Sequence, residues 1–97
     1  MDSPTVISAL RANADQLRAE GVSHIFLFGS VAKGMEQDGS DIDLFYDYDP
    51  DRFGFLQFMR IREIAPQIVG RNVDIMPRDG IHPLIRADVE ETAIQVF

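Results

Sequence analysis

Ninety-seven residues, 45% apolar and 26% charged, suit one soluble globular domain spanning 1–97, with a single modest core and no room for a second. The 16 acidic against 9 basic residues leave a net charge of −7, which argues against direct nucleic-acid binding, an affinity built on clustered Lys and Arg, and favours a basic or cation-bridged partner. The absence of cysteine excludes disulfides and thiolate metal sites, no apolar run approaches the ~18 residues of a membrane span, and Met1-Asp2-Ser3-Pro4 lacks a signal peptide's basic start, so a cytoplasmic protein without membrane contact is expected.

Ser3 before Pro4 is a helix start, with serine as N-cap and proline at the first helical position, where its missing N–H costs nothing. Ile7, Leu10, Ala14 and Leu17 then recur at spacings of three and four, Gly21 suits a C-terminal cap, and the pattern predicts one helix over 4–20. Residues 24–28, His-Ile-Phe-Leu-Phe, form a continuous apolar run closed by Gly29, as expected of a central strand covered on both faces, with His24 read as a strand-end residue. From Ser30 to Ser40, glycines, serines and charges predict a turn of helix and then a loop. Residues 41–48 resume a strand pattern that places Ile42, Leu44 and Tyr46 on one face and Asp41, Asp43 and Phe45 on the other.

Asp47, Asp49 and Asp51 read as a solvated acidic turn ended by Pro50. The helix expected next carries Phe58, Ile61, Ile64, Ala65 and Ile68 at helical spacing, while Phe53, Phe55, Leu56 and Met59 widen its apolar face beyond the needs of a small core and suit an interface. Pro66 inside that pattern predicts a kink or a break into two pieces. After Gly70, residues 72–76 read as a third strand with Val73 and Ile75 facing one way and Asp74 the other. A final helix is expected near His82-Pro83, packed through Ile81, Leu84, Ile85 and Val89, and residues 94–97 add a short strand or tail. These elements make an α+β, two-layer fold: a small mixed sheet of three to four strands packed with helices.

Aspartate is depleted in strands, so Asp41 and Asp43 on one strand face, with Asp74 in a strand 31 residues later, need open solvent or a cation. If the two strands are neighbours, carboxylates ~4 Å apart repel by about 4 kcal/mol at an effective dielectric of 20, which a cation or protonation must offset. Hard oxygen donors of this kind suit Mg²⁺ or Mn²⁺, whose remaining positions go to water and substrate phosphates. Gly29-Ser30 offers the complementary half: glycine permits close backbone approach to a phosphate, Ser30 supplies a hydroxyl and N–H groups, and Lys33 adds a positive charge one turn later. Neither acidic run, at 38–43 or 47–51, has the glycine and glutamate that an EF-hand loop requires, which sets a calcium module aside.

The run Phe28-Gly-Ser-Val-Ala-Lys-Gly34, followed by Ser40-Asp-Ile-Asp-Leu44, resembles the signature of the DNA polymerase β-like nucleotidyltransferase superfamily. The resemblance is greatest to its minimal nucleotidyltransferases, the antitoxin partners of HEPN-domain toxins, and it continues through Gly70-Arg-Asn-Val-Asp-Ile-Met76 and Ile81-His-Pro-Leu84. It implies that Gly29 and Ser30, aided by Lys33, hold the triphosphate of ATP, that Asp41 and Asp43 ligate two Mg²⁺ ions, with Mn²⁺ an alternative, and that Asp74 completes the metal site and helps deprotonate the attacking hydroxyl. The implied activity is a two-metal in-line displacement at the α-phosphorus that moves AMP to a tyrosine of the cognate HEPN toxin and silences it. Relatives usually carry arginine where this chain has Lys33, which keeps the charge and loses the bidentate fork. With no appended helical domain, the partner protein is expected to build part of the site. Two alternatives share the motif: a small-molecule acceptor, against which the lack of a second domain argues, and a non-catalytic antitoxin that masks its toxin.

Overall fold

A computed structural model describes residues 3–35 and 41–97. The order is α1 (Ser3–Ala12), α2 (Ala14–Ala19), β1 (Val22–Phe28), α3 (Gly29–Ala32), β2 (Ile42–Tyr48), α4 (Phe55–Val69), β3 (Val73–Pro77), a 3₁₀ turn at Arg78–Gly80, α5 (Pro83–Thr92) and β4 (Ile94–Gln95). The strands form one mixed sheet in the order β3-β2-β1-β4. β1 runs antiparallel to β2 and β4, whereas β2 and β3 are parallel because α4 supplies the long crossover that parallel strands need.

The helix expected over 4–20 is broken at Asn13. Its side-chain Nδ2 donates to the Ala9 carbonyl at 2.9 Å, a local bond that competes with the helical ladder. The apolar stripe survives the break, since Val6, Leu10, Ala14 and Leu17 are all buried. Gly21 ends this segment with φ +93°, and β1 starts directly after it at Val22, two residues earlier than the apolar run indicates.

α4 passes through Pro66 as one helix, so of the two expectations, a kink or a break, the break does not occur. Proline stands in the last turn, where it removes one N–H, and its own carbonyl accepts from the cap residue Gly70 N–H at 2.8 Å. Ile61, Ala65 and Val69 of α4 join Val6, Leu10 and Leu17 over one face of the sheet, against Ile25, Leu27, Ile42, Leu44, Tyr46 and Ile75. Phe55, Leu56 and Met59 remain exposed, as the surplus apolar face at this end of α4 suggests.

The other sheet face is built differently. Phe26 and Phe45 stack with centroids 4.7 Å apart, and the Arg78 guanidinium lies over both rings. Arg78 Nε and Nη2 donate to the two carboxylate oxygens of Asp47 at 2.7 and 2.9 Å, and Nη1 reaches Glu90 of α5 at 3.3 Å. Asp47 is therefore an ion-pair partner rather than part of a solvated turn. The packing face expected for α5 is also corrected: Ile81 is buried, but Leu84 and Ile85 are exposed and α5 holds no buried residue. Polar ties to Arg78 and the carbonyls of Asp79 and Ile81, which accept from Arg86 Nη2, fasten the helix instead.

Candidate active site

The parallel register pairs Asp43 with Asp74, and the antiparallel register pairs Asp43 with Phe28. Asp43 thus stands between the end of β1 and the first half of β3, about 4.8 Å from each neighbouring strand. Asp41 precedes β2 by one residue and shares the side of Asp43. Asp41 and Asp74 are exposed, and Asp43 is half-buried.

Gly29 follows β1 with φ +77°, and a Cβ built there would overlap Oδ2 of Asp43 and lie 3.0 Å from its Cγ. Only glycine satisfies both conditions, and the result is a backbone turn pressed against a carboxylate. The turn continues as α3, a single helical turn anchored by buried Val31. Its carbonyls are occupied, with Lys33 N–H donating to Gly29 and Met35 N–H to Ser30, while the first N–H groups of a helix have no intrahelical partner. Ser30 is half-buried and Lys33 exposed on the same turn.

Electrostatics agree with the register. Burial pushes the Asp43 carboxyl above the ordinary aspartate range, and the charges of Asp74 and then Asp41 push it further. All three sequence-predicted carboxylates therefore act on one locus, although among the described residues no three acidic, His or Cys side chains close into a ready coordination set. Carboxylates in strained company with open positions suit a hard divalent cation that keeps water and substrate oxygens. Gly29 is in contact with this locus, and Ser30 and Lys33 adjoin it through the chain. Ser40, the first residue of the acidic motif, lies outside the described residues.

A cavity of about 270 Å³ opens beside the glycine turn, between Phe28, Gly29 and Lys33 on one side and Ile85, Val89 and Thr92 of α5 on the other. A larger one, about 510 Å³, lies towards the other end of β2, between Tyr46, Tyr48, Arg78, Arg86 and Glu90. There Tyr46 is pushed up to about 12, by burial first and then by Tyr48 and Asp79, so its phenol stays protonated. Its hydroxyl and Arg86 Nε are buried without a hydrogen-bond partner among the described residues. That cavity holds none of the predicted site residues.

Arg78 is the residue that the sequence pattern misses. A lone arginine after Pro77 carries no periodicity or motif, and its role depends on β2, β1 and α5 meeting it in space. The acidic triplet Asp47-Asp49-Asp51 held only half the signal.

Residues 7–96 match the family described as the nucleotidyltransferase domain. A candidate protein adenylyltransferase of Methanocaldococcus jannaschii is 34% identical over 77 residues, 77% of each chain. The protein adenylyltransferase MntA of Thermococcus cleftensis is 28% identical, covering 92% of this chain and 90% of its own. Among solved structures, a candidate minimal nucleotidyltransferase superposes with a TM-score of 0.72 at 30% identity, over 97% of this chain and 95% of the other. A toxin–antitoxin structure with AMP-PNP superposes at 0.68 over all of this chain and 73% of the other; at 20% identity that likeness is one of fold.

Proposed function

This chain belongs to the nucleotidyltransferase domain family, and on that premise we propose that it is an antitoxin that moves AMP from ATP to a hydroxyl of a toxin protein. The observation that carries the reading is the placement of Asp43 between a glycine turn suited to phosphate and a second strand carboxylate, Asp74. Relatives named as protein adenylyltransferases support the choice of AMP and of a protein acceptor.

In this reading Gly29 and Ser30 receive the triphosphate through backbone N–H groups and the serine hydroxyl, and Lys33 adds charge without a bidentate grip. Asp41, Asp43 and Asp74 hold Mg²⁺, two ions in all, or Mn²⁺. Bound there, the metal supplies charge neutralisation at the phosphates and a more acidic nucleophile. Asp74, on the neighbouring strand, takes the acceptor's proton as the new oxygen–phosphorus bond forms at the α-phosphorus and the bond to pyrophosphate breaks. The acceptor is a tyrosine of a HEPN toxin, which loses activity once it carries AMP.

The masking alternative needs contact with the toxin but neither nucleotide nor metal. Both readings meet in one experiment. The protein is incubated with ATP, Mg²⁺ and the protein encoded beside it, tested as the toxin, and that partner is followed by intact mass. Mass gain in AMP units, lost in Asp41→Ala/Asp43→Ala, is expected. A toxin of unchanged mass that the double variant still neutralises in cells would replace transfer by masking.

A further inference from the structure

α5 displays Leu84 at 86% and Ile85 at 52% exposure, adjacent aliphatic side chains in the first turn of a helix with no buried residue. The helix is fastened along one edge, where Arg86 and Glu90, four residues apart, meet the Asp79 and Ile81 carbonyls and Arg78. Another face carries Ile85, Asp88, Val89 and Thr92, at positions i, i+3, i+4 and i+7, and this face lines the cavity shared with Phe28, Gly29 and Lys33. An exposed apolar pair, of which Ile85 lines a cavity that reaches the glycine turn, marks a contact surface continuous with the candidate site.

We propose that α5 is the acceptor-docking wall of the enzyme. A partner protein lays an apolar anchor on Leu84 and Ile85, with Lys or Arg side chains facing Asp88 and Glu91, and its acceptor side chain enters between α5 and the Gly29 turn. Three facts identify the occupant as a protein with a basic rim. Leu84 lies outside the cavity lining, where a small molecule gains nothing from it. Asp88 in the wall presents a carboxylate able to accept a hydrogen bond from an acceptor hydroxyl. The chain carries a net charge of −7, and Asp88 and Glu91 are exposed on the docking helix.

The proposal rests on the adenylyltransferase reading, and its test separates the two. Wild type, Leu84→Lys and, as a contrast on the other exposed apolar face, Phe55→Lys are titrated with the neighbouring toxin by calorimetry at low and high salt. ATP with Mg²⁺ is titrated in parallel, and AMP transfer is read by intact mass. Leu84→Lys is expected to weaken toxin binding about tenfold, the effect of losing an interface anchor, and to slow transfer with it while ATP affinity holds. Wild-type toxin affinity should fall as salt rises. Wild-type toxin affinity in Leu84→Lys, or loss confined to Phe55→Lys, overturns the docking wall. If no variant binds ATP or transfers AMP, the catalytic reading fails, and the toxin affinities still decide where the partner docks.

Discussion

Replacing Asp43 by asparagine should make the protein more stable and inactive at the same time. Asp43 lies in register with Asp74 across a parallel strand pair, and burial, Asp74 and Asp41 all raise its pKa. Unit charges about 4.8 Å apart repel by about 3.5 kcal/mol at an effective dielectric of 20 and about 0.9 in water. Because Asp74 is exposed, solvent screening brings the value near the lower figure, so ~1 kcal/mol is taken for Asp43→Asn. In a domain of this length that corresponds to a Tm higher by roughly 4–8 °C at neutral pH without divalent cations. The sign with pH follows from linkage: a carboxyl whose folded pKa is raised binds its proton more tightly in the native state. Wild-type stability therefore falls as pH climbs from the ordinary aspartate value through the raised one. The gain from asparagine should be full at pH 7 and vanish near pH 3, where wild-type Asp43 is protonated as well. Calorimetric melts in chelator across that range check it, and Mg²⁺ should raise the wild-type Tm more than the variant's. A variant that melts lower than wild type at pH 7, or keeps its full advantage near pH 3, would refute the electrostatic account of this locus.

Gly29→Ala should lower Tm by roughly 5–10 °C, since a left-handed φ costs an alanine about 1–2 kcal/mol and the new methyl must displace the Asp43 carboxylate. Because the displaced group belongs to the candidate site, AMP transfer should fall by about two orders of magnitude; a melt and intact-mass assay that both match wild type would remove Gly29 from the site. Arg78→Met should cost about 1.5–3 kcal/mol by stripping both Asp47 oxygens of their charged donor, and amide hydrogen exchange should quicken along α5, which loses the tie to Glu90. Arg78→Lys should recover little of this, because an ammonium cannot make the two-point bond; full recovery would show that charge alone suffices.

Most of the fold was legible because period and punctuation agreed. A continuous apolar run gave β1, alternation in 41–48 and 72–76 gave β2 and β3, and glycines at 21 and 70 capped helices with positive φ. What stayed hidden depended on single polar contacts. Asn13 interrupts the first helix through one side-chain bond to Ala9, which no periodicity records. Arg78 gathers Asp47, Glu90 and two aromatic rings from separate elements, and such convergence cannot be read from spacing. At the candidate site the carboxylates were visible as misfits in strands, and glycine at 29 was read as permitting close approach to a phosphate, but a second need for it was hidden. Its cause, the side chain of Asp43 in the space a Cβ would take, is a tertiary fact.

The largest departure from the sequence pattern is α5, and it has a physical logic that joins it to the site. Its apolar positions read as a packing face, yet Leu84 and Ile85 meet solvent, so local pattern and observed burial disagree. A comparable disagreement marks Asp43, a half-buried carboxylate beside another in a domain whose total stability is about 5–15 kcal/mol. Such breaks are expected where a partner supplies the compensation, which in the proposed reading is a cation at Asp43 and a protein surface at Leu84. Both exceptions border the Gly29 turn, one at Asp43 and one across the cavity at Ile85. Their placement argues that they serve one event, and it predicts that toxin and ATP–Mg²⁺ stabilise the chain together by more than the sum of their separate effects.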